Sequence, residues 1–402
     1  MRASRSLFST LAYLTMFIFG LQVCGQQFIL LDIAEEYQMN KTAMGALSSV
    51  GFITGLCSAV LLGGIIDKKD QRLLTGGFTA AIALGGLLVL VIPNFIGLII
   101  GLMLMGFSGT MLPAIVPVML SKYDPSHSSR YAGIAEMFYS AGSVTGPLMM
   151  AFLLEQGVSW RALYVLITII SLVVAGGIFW MHSPTAPASA EPLVIPKNAG
   201  SILAVLKPVG LLLILWSLAY SSVESGINSY AKPYFTEQYE NPLAASTTIA
   251  IVGIGMVVSR LLASRIHKNK AAIAAACCFG GGLMALLMVI VPGAWTSYLW
   301  CCLFGLIAGP AWPLAMSVAI DSFPENPGRI STMLLVGSST GGATVGVFMG
   351  MLADHIDLRS SFLYPAFMGL IAMSALMGVR ALNRRKSAKA MAEQVDASTG
   401  NF

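Results

Sequence analysis

The chain has 402 residues, of which 56% are hydrophobic and only 10% are charged. Because ordinary soluble domains are about a quarter charged, a water-soluble fold cannot cover this much apolar surface. The net charge of +5 does not indicate a nucleic-acid partner, since the Lys and Arg residues lie in short clusters between apolar segments.

Twelve apolar segments follow one another along the chain, each long enough to cross a bilayer, which takes about 20 residues. Charged residues, Pro or Asn mark their ends. The pattern predicts an all-α membrane protein of twelve transmembrane helices. The predicted helices cover residues 8–30, 44–66, 72–92, 95–119, 129–153, 162–181, 206–230, 244–266, 272–292, 296–320, 330–352 and 361–382.

A polar stretch rich in Pro, Ala and Ser divides these helices into two sets of six. We therefore expect an N-terminal six-helix bundle over residues 1–181, a linker over 182–205, a C-terminal bundle over 206–382 and a solvated tail over 383–402. The first apolar segment is too long for the core of a signal peptide, and no small-residue cleavage site follows it.

The basic residues lie mainly on one side of the expected bundle. Eighteen of the 23 Lys and Arg residues fall in the termini, the linker and the loops on their side. Four fall on the other side (Lys41, Arg161, Lys232 and Arg359), and Arg260 lies inside a helix. The positive-inside rule predicts that both termini and the linker are cytoplasmic, as expected for a multi-pass protein of a bacterial inner membrane.

The two halves also repeat one another at a spacing of about 200 residues, which is the pattern of parallel repeats in secondary transporters. Gly109 and Pro113 in the fourth predicted helix recur as Gly309 and Pro313 in the tenth. Repeats of this kind place a central site between two rocking halves.

A short motif follows the second predicted helix. Residues 63–72, GGIIDKKDQR, resemble the loop signature of the major facilitator superfamily, Gly-x-x-x-Asp-Arg-x-Gly-Arg-Arg, with Asp67 and Arg72 retained and Lys68 and Asp70 as departures. A carboxylate at a helix end can accept charge-assisted hydrogen bonds from a neighbouring helix. The resemblance therefore implies the twelve-helix fold of that family and a gating role for Asp67 and Arg72.

Shorter stretches resemble the sugar:proton symporters related to fucose permease. They are residues 136–147 (EMFYSAGSVTGP), residues 309–318 (GPAWPLAMSV) and the pair Ser259 and Arg260. The acidic residue that this group places in the first helix is absent, because Gly20 to Cys24 read GLQVC. A segment at residues 142–147 also resembles the Gly-x-x-x-Gly-Pro motif of drug antiporters, without the Gly pair that usually follows.

Charged side chains at membrane depth cost roughly 2.5 to 3.5 kcal/mol each, so every one is a functional candidate. Glu136 in the fifth helix, Glu224 in the seventh and Arg260 in the eighth lie inside apolar segments. Glu224 and Glu136 are candidates for proton coupling, with an interhelical bond as the alternative for each. Arg260 is a candidate for gating, although it can also bind an anion or reach the nearby interface.

Neutral and aromatic residues complete the expected substrate site. Tyr220, Glu224 and Asn228 recur every four residues and therefore share one helix face. Gln22 and Gln26 share a face of the first helix and supply donors and acceptors that suit hydroxyl groups. Trp312, between two prolines, can stack on a ring or belong to the core. The family resemblance implies that the first, fourth, seventh and tenth helices line the cavity.

The expected function is secondary active transport of a small polar organic solute, with a sugar-like solute preferred and protons as the coupling ion. The alternatives are a proton-driven exporter of drug-like compounds and a carrier of organic anions. We expect a monomer in the lipid bilayer, with no cofactor and no metal. An enzyme is not expected, because no nucleophile with a base partner and no metal cluster lies near either membrane face.

Overall fold

The computed structural model describes residues 2–62, 69–121, 128–181, 205–263, 265–266, 268–324 and 327–399. This part of the chain is α-helical apart from short connections, and it contains no strand. The helices are α1 (Arg2–Phe28), α2 (Leu30–Glu36), α3 (Lys41–Leu62), α4 (Gln71–Val91), α5 (Phe95–Gly109), α6 (Leu112–Ser121), α7 (Ser128–Glu155), α8 (Ala162–Trp180), α9 (Pro208–Tyr239), α10 (Pro242–Ala263), α11 (Lys270–Ile290), α12 (Ala294–Ala308), α13 (Ala311–Ser322), α14 (Pro327–His355) and α15 (Leu363–Thr399).

Twelve spans in the described ranges are long and apolar enough to cross a membrane, which confirms the predicted number. We call the membrane side that carries the chain termini the terminal side, and the other the opposite side. Most of the predicted linker lies outside the described residues. The last helix continues to Thr399, well past the predicted end of the second bundle at residue 382.

The fourth and tenth spans are each broken, whereas the sequence predicted one continuous helix for each. The fourth consists of α5 and α6, and the tenth of α12 and α13. The breaks fall beside Pro113 and Pro310, because a proline has no N–H to donate and its ring crowds the preceding turn. The two halves therefore resemble each other in this feature too, because the fourth span and its counterpart, the tenth, are both interrupted.

The seventh span, α9, is longer than predicted. The pair Lys232 and Pro233 suggested an end near residue 230, but the helix continues to Tyr239 and ends with Glu240 in the left-handed conformation, at φ 49°. The Lys232 side chain is almost fully buried because it has an acidic partner, described below. Lys232 therefore does not mark the end of its helix, as its charge suggested, but takes part in a contact between two helices.

The halves are built around close helix pairs. In the first half α1 packs on α7, and a Cβ atom on Gly142 would lie 2.0 Å from the Phe17 carbonyl oxygen. The two halves meet where α3 packs on α14 and where α7 packs on α10. These two contacts enclose the middle of the molecule, where the candidate site lies.

Candidate functional site

A small cavity of about 20 Å³ lies between the two halves. The first half contributes Cys24 from α1 and Tyr139 and Ser143 from α7, while the second half contributes side chains from α9 and α10. The residues from the second half are Glu224, Asn228, Ile249, Val252, Gly253, Met256 and Arg260. A space of this size holds about one water molecule. In this conformation the centre of the protein is therefore closed around its polar groups.

An ion pair forms one wall of this cavity. The Arg260 guanidinium on α10 lies 3.6 Å from the Glu224 carboxylate on α9, and both side chains are about three-quarters buried. Arg260 Nε also donates a hydrogen bond of 3.4 Å to the carbonyl of Gly309, beside the break between α12 and α13. The carbonyls at the end of a helix lack intrahelical partners, so the break supplies an acceptor. Arg260 thus faces the cavity and joins three spans.

Glu136 lies near the same ion pair. It shares a face of α7 with Ser140 and Ser143, because the three residues are spaced at helical intervals. The large exposed apolar side chains of α7 lie on another face: Met137, Leu148 and Phe152. Glu136 interacts electrostatically with both Arg260 and Glu224. The carboxylates of Glu224 and Glu136 therefore both interact with the Arg260 guanidinium.

The other expected binding residues are divided between the cavity and the core. Asn228 lines the cavity together with Glu224. Tyr220 does not, because its hydroxyl donates a hydrogen bond of 3.1 Å to the Ala308 carbonyl. Its ring packs with those of Trp312 and Trp216, with ring centres 6.2 Å and 5.8 Å away. Tyr220 and Trp312 thus form an aromatic cluster beside the cavity.

The two glutamines of α1 have different surroundings. Gln22 is 4% exposed, and its Oε1 has no hydrogen-bond partner in the described part of the chain. Gln26 is half-buried. Neither lines the central cavity in this conformation.

The predicted gating loop is described only in part, because Asp67 lies outside the described residues. Arg72 is in the first turn of α4, where its backbone N–H donates to the Asp70 carboxylate at 2.9 Å. The Arg72 guanidinium donates to the carbonyl of Met181, after the end of α8. Arg72 therefore ties together two helices of the first half in this conformation.

Contacts that the sequence did not predict join the halves on the opposite side. The Lys232 ammonium on α9 lies 2.5 Å from the Asp32 carboxylate on α2, with the side chains 11% and 26% exposed. The same ammonium lies 4.5 Å from the ring centre of Phe28. Removing one partner from an ion pair with so little exposure costs more than breaking a pair in open water, because the remaining charge is left buried without its partner.

A second group of contacts joins α3 to α9 and α14. The Lys41 ammonium pairs with Glu237. The Asp354 carboxylate accepts hydrogen bonds from the backbone N–H groups of Lys41 and Thr42, at 2.9 Å and 2.8 Å, and from the Thr42 hydroxyl at 2.6 Å. Because the first residues of a helix have unsatisfied N–H groups, Asp354 caps α3 from across the molecule.

Below these polar contacts, α3 and α14 approach each other through glycine. A Cβ atom on Gly45 would lie 1.8 Å from the Gly346 carbonyl oxygen, so only glycine fits. The Tyr230 hydroxyl donates to that same carbonyl at 2.7 Å, and the Ser49 hydroxyl donates to the Ala343 carbonyl at 2.5 Å. The opposite side is therefore closed from its surface down towards the centre.

Within each half, basic residues of the opposite side are also engaged. The Arg161 guanidinium holds the Glu36 carboxylate with bonds of 2.6 Å and 2.9 Å, and Trp160 donates to the same carboxylate at 2.7 Å. The hydrogen bond from Arg161 lowers the pKa of Glu36 below its ordinary value. Arg359 donates to the carbonyl of Val289. All four basic residues that the sequence placed on this side thus have identified acceptors.

The family model of the Major Facilitator Superfamily matches residues 11–343. The chain belongs to this superfamily. Among its curated relatives, a glucose transporter, GlcP, of Staphylococcus epidermidis is 20% identical, with 86% of each chain covered. A multidrug resistance protein B homolog of Mycobacterium tuberculosis is 28% identical over 149 residues, 36% of this chain and 27% of the other.

Solved structures show the same superfamily fold. A bacterial homolog of the human lysosomal transporter Spinster, inward-facing and unoccupied, has a TM-score of 0.74 at 15% identity and covers 94% of this chain and 98% of its own. A D-xylose-proton symporter has a TM-score of 0.71 at 15% identity, covering 92% and 96%. The Escherichia coli fucose:proton symporter has a TM-score of 0.61 at 17% identity, covering 93% and 98%.

The family assignment and the twelve spans confirm the predicted resemblance, the fold class and a multi-pass membrane protein. They also confirm the expectation of a transporter acting on a small molecule, rather than an enzyme. The solute, the coupling ion, the membrane side on which the termini lie, the domain boundaries and the roles of the individual site residues remain predictions.

Proposed function

We propose that this superfamily member is a proton-coupled importer of a small, neutral, polar organic solute, with a sugar-like solute as the preferred class. The observation that carries the proposal is the ion pair of Glu224 and Arg260 at a cavity shared by both halves. We expect the terminal side to be cytoplasmic, from the distribution of Lys and Arg. Because each chain contains both walls of the site, we expect the transporter to act as a monomer.

The charge balance of the site supports proton coupling. Two carboxylates, Glu224 and Glu136, interact with one guanidinium, that of Arg260. With all three groups ionised, one negative charge is left at membrane depth, where charge is costly. A proton on Glu224 removes this excess negative charge and weakens the attraction between Glu224 and Arg260. Arg260 is still attracted by the Glu136 carboxylate. Proton binding therefore changes which helices Arg260 joins.

The contacts between the halves support alternating access. The opposite side is closed by the Asp32–Lys232 pair and the glycine contact of α3 with α14. The central cavity has room for about one water molecule. A solute enters only when the halves separate, so binding and conformational change are linked. The similar Spinster homolog was solved in an inward-facing conformation. We propose that this chain reaches that arrangement when the terminal side opens while the contacts of the opposite side hold.

The lining of the cavity supports a neutral polar solute. Ser143, Tyr139 and Asn228 supply donors and acceptors, while Ile249 and Val252 supply an apolar wall. Arg260 is already paired with Glu224, and this pairing argues against a site built for an organic anion. A glucose transporter among the relatives and xylose and fucose symporters among the similar structures support a sugar-like solute.

The test is solute uptake into proteoliposomes with and without an imposed pH gradient. A thermal-shift screen of purified protein against sugars, organic acids and drugs first identifies a solute that binds the native state. We expect Glu224→Gln, which mimics the protonated carboxyl, to keep solute exchange and to lose accumulation driven by the gradient.

Glu155→Gln is the matched control, because Glu155 is an exposed carboxylate at the end of α7. It should accumulate solute as the unaltered protein does. Gradient-driven accumulation by Glu224→Gln would show that Glu224 is not the proton carrier. Glu136 would then be the next candidate. A thermal shift with drugs alone, or with organic acids alone, would contradict the proposed class of solute.

A further inference from the structure

A second, larger space lies on the outer surface of the second half. This groove has a volume of about 640 Å³, compared with about 20 Å³ for the central cavity. It lies among the first turns of α11, the break between α12 and α13, and the middle of α15. Its walls are mainly apolar and include Ile273, Cys277, Leu306 and Ile307. Transport through the centre does not use it.

The position of the groove relative to the bilayer follows from the helix lengths. α11 begins at Lys270 on the terminal side, so Cys277 lies about 10 Å further along at 1.5 Å per residue. Arg380 is in the part of α15 that approaches the terminal side, about 25 Å along that helix. Because the hydrocarbon core is about 30 Å thick, the apolar walls lie in hydrocarbon and Arg380 lies near the headgroups.

Two basic side chains lie at the mouth of the groove. Lys268 is exposed and Arg380 is half-buried. Neither has an acidic partner among the described residues, whereas the neighbouring Lys270 pairs with Asp321 at 3.0 Å. Asn269 adds an amide at the same level. A groove with apolar walls and two unpaired cations at headgroup level matches a molecule with acyl chains and an anionic head.

We propose that this groove binds one anionic phospholipid from the leaflet on the terminal side. The lipid phosphate lies between Lys268 and Arg380, which donate charge-assisted hydrogen bonds to its oxygens. An acyl chain lies along Ile273, Cys277 and Ile307. The apolar walls distinguish a lipid from free phosphate, since only the lipid covers both the charged mouth and the hydrocarbon-facing part of the groove.

The test uses the full chain, delipidated in a neutral detergent and titrated with phosphatidylglycerol, with bound lipid counted by native mass spectrometry. Phosphatidylcholine and inorganic phosphate are the comparison probes. We expect phosphatidylglycerol to bind and to raise the melting temperature, and the other two to have little effect. Because each cation near an anionic lipid contributes roughly fivefold in affinity, Lys268→Gln/Arg380→Gln should weaken binding about 30-fold.

Arg384→Gln/Arg385→Gln is the matched control, because it removes the same charge from exposed positions further along α15. It should leave the affinity unchanged. Ala276→Trp fills the groove without changing any charge and should also abolish binding. If the double variant of the groove does not fold, Lys268→Gln alone, at an exposed loop position, should cost about fivefold.

Three results would overturn the proposal. One is equal affinity of the groove variant and the Arg384/Arg385 control for phosphatidylglycerol. Another is a phosphate effect as large as that of the lipid, which would indicate an anion site with no acyl contact. The third is a photoactivatable phosphatidylglycerol that crosslinks to neither α11 nor α12.

Discussion

Breaking the ion pair between Asp32 and Lys232 is the most direct test of how the opposite side closes. The pair joins α2 of the first half to α9 of the second, so it exists only while that side is closed. Lys232→Gln breaks the pair and leaves Asp32 without its cation. The closed conformation is destabilised, whereas a conformation open to the opposite side loses nothing. The population should therefore shift towards the open conformation.

The size of the shift follows from the burial of the pair. Exposed ion pairs contribute about 0 to 1 kcal/mol, whereas breaking a fully buried pair costs about 3 to 5 kcal/mol. With the side chains 11% and 26% exposed and the Phe28 ring below the ammonium, the pair lies between these limits. We estimate about 2 kcal/mol, which is about a 30-fold change in the equilibrium between the two conformations.

Cys24 provides the assay because it is buried and lines the central cavity. In a chain whose other five cysteines are replaced by Ser, a membrane-impermeant maleimide is added to the opposite side. Lys232→Gln should raise the labelling rate of Cys24 by up to about 30-fold. Lys207→Gln, which removes an exposed charge at the start of the same helix, should leave the rate unchanged. Equal rates for the two variants would refute this account of closure.

The glycine contact of α3 with α14, the Glu36–Arg161 pair and the membrane topology can each be tested separately. Gly346→Val should hold the opposite side open and stop transport, because its Cβ would lie 2.4 Å from the Gly45 carbonyl oxygen. The control Gly77→Val should transport normally, because nothing lies within 4 Å of its Cβ position. The lowered pKa of Glu36 means that its pairing with Arg161 stabilises the fold at neutral pH and is lost as the pH falls through that pKa. The melting temperatures of the unaltered protein and Glu36→Gln should thus converge below pH 4.5, and a constant gap would exclude this linkage. A reporter fused after Arg385 that is active only outside the cytoplasm should stay silent, and a strong signal would reverse the proposed topology.

The sequence predicted the spans because an apolar segment of about twenty residues matches the thickness of the hydrocarbon core, and a soluble fold rarely needs one. It also indicated Glu224, Glu136 and Arg260 as candidates, because the cost of charge at membrane depth makes such residues conspicuous in an apolar helix. It did not predict that Arg260 pairs with Glu224, because the neighbours of a helix depend on the packing of the whole bundle.

The closure of the opposite side was missed for the same reason. Asp32 and Lys232 are 200 residues apart, and Lys41 and Asp354 are 313 residues apart. Each of these residues lies near a predicted helix end, where an isolated charge is expected to face water. One signal was available: only four basic residues fall on that side, so each was a candidate for a specific partner.

The measurement that tests proton-coupled transport most directly is proton movement during solute uptake. Lightly buffered proteoliposomes are given the solute found by thermal shift, without an imposed gradient, and the external pH is followed. Symport predicts that the external medium becomes more alkaline as solute enters, and that Glu224→Gln abolishes this change while solute exchange continues. Solute entry with no change in pH, or an unchanged response in Glu224→Gln, would contradict the account.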